Sequence, residues 1–260
     1  MPAERIASTH CIASKRVGLK IASMSQRADD EDFRKRKISA SDADLGSREA
    51  LANEPELIWY PAEVNTSIRP GWFYHAAEDD QVKTLDELKR VYVNAVGGNA
   101  TFLLNVPPTP EGLLHANDAA RLRELGDWLR GAFAVNLLDG ARLTASACKQ
   151  GFAPESVLTD NLDTYFTTED GVTDVTLECL WERPVPVRYV VLKENLRMSQ
   201  RVERFALELN TDAGWTRVYE GAVIGRKRIA VLDGAPATGL RVRILDARVA
   251  PTLAFVGAYA

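Results

Sequence analysis

Residue types that can carry chemistry gather in one short segment of the chain. The segment brings a carboxylate, a guanidinium, an indole and an imidazole close together in sequence, in the order Glu63, Arg69, Trp72 and His75. Cysteine and histidine are scarce elsewhere, with three of each in the whole chain and no CxxC pair. These counts argue against a disulfide framework, a zinc site and a catalytic metal cluster.

A strand, a helix, a second strand and a second helix are predicted between residues 57 and 135. The first strand ends where Pro70 and Gly71 break the apolar run. The first helix starts at a capping box formed by Thr84 and Glu87, and the glycine pair at 97–98 ends it.

The second strand is predicted from an almost continuous apolar run at residues 101–106. Such a run is typical of a strand buried on both faces of a parallel sheet. Asn117 is expected to cap the second helix. The order strand, helix, strand, helix predicts a parallel sheet covered by helices, and in barrels of this kind functional groups lie at the carboxyl ends of the strands. We therefore expect Glu63, Arg69 and Trp72 at or just past the end of the first strand, and Asn105 near the end of the second.

Three motifs carry a resemblance to a known family. The sequence EVNTSIRPGWFYH at 63–75, LLNVPP at 103–108 and LGDWL at 125–129 resemble the end of the catalytic barrel of retaining α-L-fucosidases. The resemblance covers residues 44–135 and implies a partial (β/α)8 TIM barrel that contains the last two βα units. It also implies hydrolysis of terminal α-L-fucosyl linkages in fucosylated glycans, with no cofactor for catalysis.

The resemblance implies roles for individual residues as well. Some relatives use a glutamate at the position of Glu63, which makes it a candidate acid/base; alternatively it pairs with Arg69 or another cation. Trp72 matches an aromatic residue that lines the fucose pocket, with a core tryptophan as the alternative. Arg69 and His75 complete the candidate substrate-binding set, although a structural hydrogen bond is favoured for His75. Asn105 is expected to satisfy backbone groups.

One required group is missing from the pattern. Retaining hydrolysis needs a nucleophilic carboxylate and an acid/base carboxyl about 5–5.5 Å apart. In the family the nucleophile is an aspartate that follows an aromatic residue on an earlier strand, and no such motif occurs in this sequence. We therefore expect a truncated chain that is inactive alone.

The hydrophobic period changes to two after residue 135. Residues 204–210 and 239–244 alternate, and further short strands are predicted at 175–181, 188–193, 215–219, 222–224 and 227–232. This pattern predicts an antiparallel β-sandwich jelly roll over residues 136–260, which makes the chain an α+β multidomain protein. Segments at 143–146, 157–166 and 190–195 resemble the discoidin-like, galactose-binding-like module.

Two further expectations concern this second region. The Asp160–Thr164 turn resembles one that holds a structural Ca²⁺ in such modules, with Asp160 and Asp163 as ligands; the alternative is an Asx-turn in which these side chains bond their own backbone. Trp181 and Trp215 lie in strand patterns and are predicted to pack in the core.

Composition limits the remaining possibilities. The chain has 260 residues and a net charge of −4, which argues against a nucleic-acid partner, and it lacks the apolar run of about 18 residues that a membrane span requires. Residues 1–43 are predicted to be disordered or unrelated to the rest, and they contain no secretory signal, so the compartment stays open. The competing hypothesis is a stand-alone carbohydrate-binding β-sandwich protein without catalysis.

Overall fold

The computed structural model describes residues 46–52 and 62–260. The predicted segment 1–43 therefore lies outside the described residues. The described residues fall into two compact units. The first contains residues 46–52, 62–96 and 100–127, and the second contains residues 97–99 and 128–260. The predicted boundary between residues 135 and 136 stays a prediction.

The first unit alternates strands and helices, as predicted. Its elements are α1 (Arg48–Leu51), β1 (Glu63–Ser67), a 3-10 turn (Ala76–Glu78), α2 (Leu85–Val96), β2 (Thr101–Asn105) and α3 (Ala116–Ala132), whose last turns belong to the second unit. Strands β1 and β2 are parallel, with Glu63 opposite Thr101 and Ser67 opposite Asn105. Helix α2 therefore connects two parallel neighbours, which is the arrangement of a βαβ unit.

A small apolar core joins helix α2 to this sheet. Val64 of β1 packs with Val91 and Ala95 of α2, and Phe102 of β2 packs against them. Burial of β2 on both faces, however, is wrong for the described residues: Leu103 is 42% exposed. Helix α2 packs against Phe102, whose side chain points to the face opposite that of Leu103. In the part of the chain that the structure describes, β1 is the one strand paired with β2.

The two predicted helix starts have different outcomes. At α2 the capping box is confirmed, because the Thr84 backbone N–H donates to Glu87 Oε2 at 2.7 Å and the Glu87 N–H donates to Thr84 Oγ1 at 3.3 Å. At α3 the prediction of Asn117 as the cap is wrong. The helix begins at Ala116, and His115 Nδ1 accepts the Asn117 backbone N–H at 3.3 Å.

The second unit consists of two antiparallel sheets around one apolar core. A five-stranded sheet has the order β3-β5-β10-β7-β8, and a four-stranded sheet has the order β4-β11-β6-β9. The strands are β3 (Arg142–Ala145), β4 (Phe166–Thr167), β5 (Val175–Pro186), β6 (Tyr189–Glu194), β7 (Val202–Thr211), β8 (Gly214–Gly221), β9 (Arg228–Val231), β10 (Pro236–Ala247) and β11 (Thr252–Tyr259). Short 3-10 turns lie at Pro154–Leu158 and Leu196–Met198.

The core between the sheets is built from alternate residues of their strands. Leu207 and Leu209 of β7 and Val242 of β10 are buried in it, as the period of two predicts. The predicted strand at 222–224 is wrong. Its residues form a turn whose Val223 carbonyl accepts hydrogen bonds from the guanidinium of Arg228, at 3.0 Å from Nε and 2.7 Å from Nη2.

A buried carboxylate ties three backbone segments of the second unit together. Glu194, the last residue of β6, accepts hydrogen bonds from the backbone N–H groups of Arg201 at 2.7 Å, Val202 at 3.0 Å and Gly225 at 2.7 Å. Burial nevertheless raises the pKa of Glu194 to about 7, because desolvation disfavours the charged form. None of the helices in the described parts of the chain is long and apolar enough to cross a membrane.

Candidate functional site

An aromatic cavity lies at the carboxyl ends of β1 and β2. Its volume is about 400 Å³. The loop after β1 supplies three aromatic side chains and the loop after β2 supplies three prolines, so the lining is Trp72, Phe73, Tyr74, Asn105, Pro107, Pro108, Thr109 and Pro110. A concave, largely apolar lining with a few polar groups is the usual character of a small-molecule site.

Polar contacts at the backbone hold Trp72 at the rim of this cavity. Asn105 donates from Nδ2 to the Trp72 carbonyl at 2.8 Å and to Ser67 Oγ at 3.2 Å, which fulfils its predicted role toward the backbone. On the other side of the loop, the Gly71 N–H donates to Glu78 Oε2 at 3.2 Å. The Trp72 side chain itself is 47% exposed, so the core alternative for this residue is wrong.

Arg69 lies beneath the loop, with no exposed surface. Its Nε is 3.0 Å from Asp118 Oδ2, its Nη1 is 2.9 Å from Asp79 Oδ1, and the guanidinium carbon lies 4.8 Å from the Tyr74 ring centroid. Desolvation lowers the pKa of Arg69, but the hydrogen bonds and charges of the two aspartates outweigh it and leave the pKa raised. The substrate contact of Arg69 stays a prediction, whereas the pairing of Glu63 with Arg69 is wrong, because the ionic partners of the guanidinium are Asp79 and Asp118.

Asp79 is the centre of the polar network that supports the aromatic loop. It accepts hydrogen bonds from Arg69 and, at 3.3 Å, from the Tyr74 hydroxyl, and His115 Nε2 lies 3.4 Å away. Desolvation raises the pKa of Asp79, yet these donors and charges hold it below its ordinary value. Burial and the neighbouring Asp79 raise the pKa of Tyr74. The network fixes the backbone from which Trp72 and Phe73 project.

Sequence reasoning missed both aspartates of this network. Asp118 sits in the first turn of α3, where an acidic residue is common for reasons of the helix dipole alone. Asp79 lies in a loop among other acidic residues, so its sequence neighbours do not distinguish it. A buried arginine needs such partners, but the sequence gives no indication that Arg69 is buried.

Glu63 lies away from the aromatic cavity along the strand. It is the first residue of β1, whereas the cavity follows the last. At about 3.3 Å per residue, the four steps from Glu63 to Ser67 separate the two ends by roughly 13 Å. The expectation that Glu63 lies at the carboxyl end of the strand is therefore wrong, and its placement speaks against an acid/base role at this cavity.

His75 contributes through its backbone. Its carbonyl accepts hydrogen bonds from Arg69 Nη1 at 3.3 Å and from the Glu78 N–H at 2.9 Å. The imidazole is exposed and has no hydrogen-bond partner among the described residues. The structural role favoured for His75 thus belongs to its carbonyl, and the side chain is not part of the cavity lining.

The acidic turn at residues 160–164 does not fit a calcium ion. Both oxygens of Asp160 bond the Lys193 ammonium, at 2.8 and 2.6 Å, and Asp163 Oδ1 bonds Arg197 Nη1 at 2.5 Å. Across residues 46–52 and 62–260, no group of three or more His, Cys, Asp or Glu side chains comes together. Six to eight oxygen ligands would be needed, and these carboxylates already have cationic partners. The Asx-turn alternative is wrong for Asp160 and Asp163, because the turn is made by Asn161, whose Oδ1 accepts the Asp163 N–H at 2.9 Å.

Comparison with known proteins shows a similarity to one family. The sequence model of the α-L-fucosidase family matches residues 5–132 of this chain. α-L-Fucosidase 1 of Arabidopsis thaliana is 34% identical over 208 residues, which are 77% of this chain and 41% of that protein. Over these residues the chain is similar to the α-L-fucosidase family of glycoside hydrolases.

Solved structures show the same similarity. A glycoside hydrolase family 29 fucosidase from Ruminococcus gnavus, in complex with fucose, is 30% identical with a TM-score of 0.72, over 77% of this chain and 41% of that one. A family 29 member from a rumen bacterium is also 30% identical, with a TM-score of 0.62, over 77% of this chain and 33% of that one. The chain thus spans about two fifths of the length of the curated relatives it matches.

The family match begins inside the segment predicted to be unrelated. It starts at residue 5, whereas the prediction placed residues 1–43 apart from the barrel portion. Those residues lie outside the described ones, so the structure adds nothing on the point.

Family chemistry requires two carboxyl groups that the described cavity does not supply. Retaining hydrolysis uses a nucleophile and an acid/base about 5–5.5 Å apart. Within the described part of the chain, no aspartate or glutamate lines the aromatic cavity. The acid nearest in sequence to the lining, Glu111, follows Pro110 and is hydrogen-bonded to Thr109. Glu78 and Asp79, after the aromatic loop, are engaged by the Gly71 N–H and by Arg69.

Proposed function

We propose that this chain is the carboxy-terminal part of a retaining α-L-fucosidase and that its aromatic cavity forms one wall of the fucose site. In this proposal β1, α2, β2 and α3 are the last two βα units of a (β/α)8 barrel. Residues 136–260 are a discoidin-like, galactose-binding-like jelly roll. The parallel pairing of β1 with β2 through a helix, and the two antiparallel sheets that follow, support this assignment.

The observation that carries the proposal is an exposed tryptophan on a rigid support at the carboxyl ends of parallel strands. Substrates of barrel enzymes bind at that face. The Trp72 indole presents a flat apolar surface, which suits the methyl group and C–H face of fucose. Asn105 and Glu78 fix the backbone on both sides of it, so little conformational entropy is lost on binding.

Three predicted substrate-binding residues thereby receive different roles. Trp72 contacts the sugar. Arg69 is a positioning residue, because its ion pairs with Asp79 and Asp118 hold the loop and leave it no exposed surface. His75 serves the same loop through its carbonyl.

Fucosylated glycans are the proposed partners, and the chemistry calls for no catalytic cofactor since two carboxyl groups suffice for retaining hydrolysis. The described residues lack such a pair at the cavity, so we expect this 260-residue chain to bind fucose without hydrolysing fucosides. Hydrolysis would require carboxyl groups from another part of the barrel.

The test measures binding and turnover separately on the full chain. L-Fucose is titrated while tryptophan fluorescence is followed, and release of 4-nitrophenol from 4-nitrophenyl α-L-fucoside is recorded in parallel. Trp72→Ala should weaken fucose binding about five- to tenfold, since the lost apolar contact is worth about 1 kcal/mol. Phe152→Ala, which alters an aromatic pair with Tyr165 outside the cavity, is the matched control.

Two results would contradict the proposal. If Trp72→Ala binds fucose with the same affinity as the parent chain, the aromatic cavity is not part of the fucose site. Turnover of the aryl fucoside by the parent chain would show that a carboxylate pair is present after all. Oligosaccharide binding that Trp72→Ala leaves intact, without turnover, would favour the competing hypothesis of a stand-alone carbohydrate-binding protein.

A further inference from the structure

A second concave surface lies on the second unit, on the outer face of the five-stranded sheet. It runs over β3, β5 and β10 and has a volume of about 470 Å³, within the range of about 300–1,000 Å³ usual for small-molecule sites. Its lining is polar throughout except for one alanine: Thr144, Ala145, Ser146, Thr176, Glu178, Arg241 and Arg243. We call this surface the outer groove.

Strand register places the groove's side chains in rows across the sheet. Thr144 of β3 lies opposite Glu178 of β5, and Glu178 lies opposite Arg241 of β10. Thr176 lies opposite Arg243 in the adjacent row. Hydroxyl, carboxylate and guanidinium groups therefore stand side by side, at the spacing of neighbouring strands of about 4.8 Å.

Both arginines are held in place and still have donors to spare. Arg241 donates from Nε to Glu178 Oε2 at 2.7 Å and stacks on the Trp215 ring, with 3.9 Å from its guanidinium carbon to the ring centroid. Arg243 donates from Nη1 to Glu208 at 3.0 Å. Each guanidinium has five N–H groups. The Arg241 side chain is 31% exposed and the Arg243 side chain is 41% exposed. The stacking also corrects one prediction, because Trp215 lies on this outer face and not in the core.

Cross-strand ion pairs stabilise a sheet without any ligand, and this structural role is enough to explain some of the charged residues on this face. Glu208 pairs with both Arg243 and Arg217, and Glu208 and Arg217 are not part of the groove's lining. Ion pairing does not explain the two threonines of the lining, Thr144 and Thr176, whose hydroxyls face the groove without a hydrogen-bond partner in the described structure. Ser146 Oγ accepts the Thr176 N–H at 3.0 Å, which leaves its own hydroxyl hydrogen to donate.

We propose that the outer groove binds a neutral oligosaccharide. Its donors are guanidinium N–H groups, its acceptor is the Glu178 carboxylate, and its three hydroxyls serve as both, which matches the alternating hydroxyl groups of a sugar ring. Two arginines against one glutamate, each already paired, leave too little net positive charge to favour a polyanion. The inference rests on the proposed function, because a glycan-hydrolase chain meets such ligands; it adds a second glycan site with no part in hydrolysis.

The test uses neutral tetrasaccharides that contain no fucose, so that the aromatic cavity is not probed. Maltotetraose, cellotetraose and lacto-N-tetraose are titrated into the ¹⁵N-labelled full chain, with a heparin tetrasaccharide as the anionic probe. We expect at least one neutral probe to shift the amide signals of Thr144, Thr176 and Arg241. Glu178→Gln and Thr176→Val should each weaken that binding at least tenfold.

Two matched variants keep the outcome interpretable. Arg217→Gln breaks ion pairs on the same face outside the groove, and Trp72→Ala alters the aromatic cavity; both should bind the neutral probe as the parent does. Thr176→Val is nearly isosteric, so its amide spectrum reports whether the sheet is intact. The proposal is overturned if no neutral probe shifts the groove signals, if the heparin tetrasaccharide binds more tightly, or if Thr176→Val binds as well as the parent. Loss of binding in Trp72→Ala would assign the signal to the aromatic cavity instead.

Discussion

The turn between β8 and β9 contains a glycine that the structure requires for two separate reasons. Gly225 has φ +63°, in the left-handed region, and a Cβ added to it would lie 2.6 Å from Asn99 Oδ1. That amide cannot move away freely, because Asn99 Nδ2 donates to the Ile224 carbonyl at 3.0 Å and Oδ1 accepts the Lys227 N–H at 2.9 Å. We predict that Gly225→Ala strongly destabilises the second unit.

The magnitude follows from two contributions. A left-handed conformation costs a non-glycine residue about 1–2 kcal/mol, and overpacking against a fixed neighbour costs about 1–3 kcal/mol more. Gly225→Ala should therefore lower the free energy of unfolding by about 2–5 kcal/mol. Gly234→Ala is the matched control: its φ is +84°, but an added Cβ meets nothing within 4 Å, so only the first contribution applies.

Urea unfolding monitored by tryptophan fluorescence measures both variants, since Trp181 and Trp215 belong to this unit. The Gly225 variant should be less stable than the Gly234 variant by about 1–3 kcal/mol. Asn99→Gly keeps a residue suited to φ +70° while removing the amide, so in that background Gly225→Ala should cost only about 1–2 kcal/mol. Equal stability of the two alanine variants would refute the steric part of the reasoning. An unchanged cost in the Asn99→Gly background would refute the identity of the clashing group.

Three further predictions concern buried polar groups. Because Glu194 holds its proton in the folded state up to a pKa of about 7 against an ordinary value of 4.5, stability should fall as pH rises between those values, and Glu194→Gln should flatten that part of a urea-unfolding pH series. Asp118→Asn leaves Arg69 with one fewer buried ionic partner and should cost about 3 kcal/mol, measured as faster hydrogen exchange in β1; unchanged exchange would contradict it. Burial raises the pKa of the Cys179 thiol to about 12, so peptide mapping after iodoacetamide treatment of the folded chain should find Cys148 alkylated and Cys179 intact.

Local signals predicted some elements well. The capping box of Thr84 and Glu87 depends on residues three apart, and the structure forms it as predicted. The alternation in β7 and β10 reports that one face of each strand is buried, which local sequence can express. Strand β11 shows the limit of this reasoning. Every residue from Thr252 to Tyr259 is buried, so no alternation marks it as a strand.

The candidate site was harder to predict because its partners are distant in sequence. Arg69 stands beside Trp72 in the motif and was expected to share its role, but Asp118, 49 residues later, draws the guanidinium into the interior. Glu63 is expected at or just past the end of the first strand, whereas β1 begins at this residue. An error of a few residues in the strand boundary is enough to place the side chain at the wrong end of the sheet. Trp72 was placed correctly because the break at Pro70–Gly71 fixes where the strand must end.

The proposed separation of fucose binding from hydrolysis is based on how the aromatic loop is built. The polar groups that support the loop are Asp79 and Asp118, which pair with Arg69, and Asn105, which donates to the Trp72 carbonyl. None of these contacts involves a carboxylate that lines the cavity. A loop supported in this way keeps its conformation whether or not a nucleophilic carboxylate is present across the cavity. Under the proposed function, fucose binding therefore does not require fucoside turnover. Substitutions in the support should weaken fucose binding through the position of Trp72, even though they never touch the sugar.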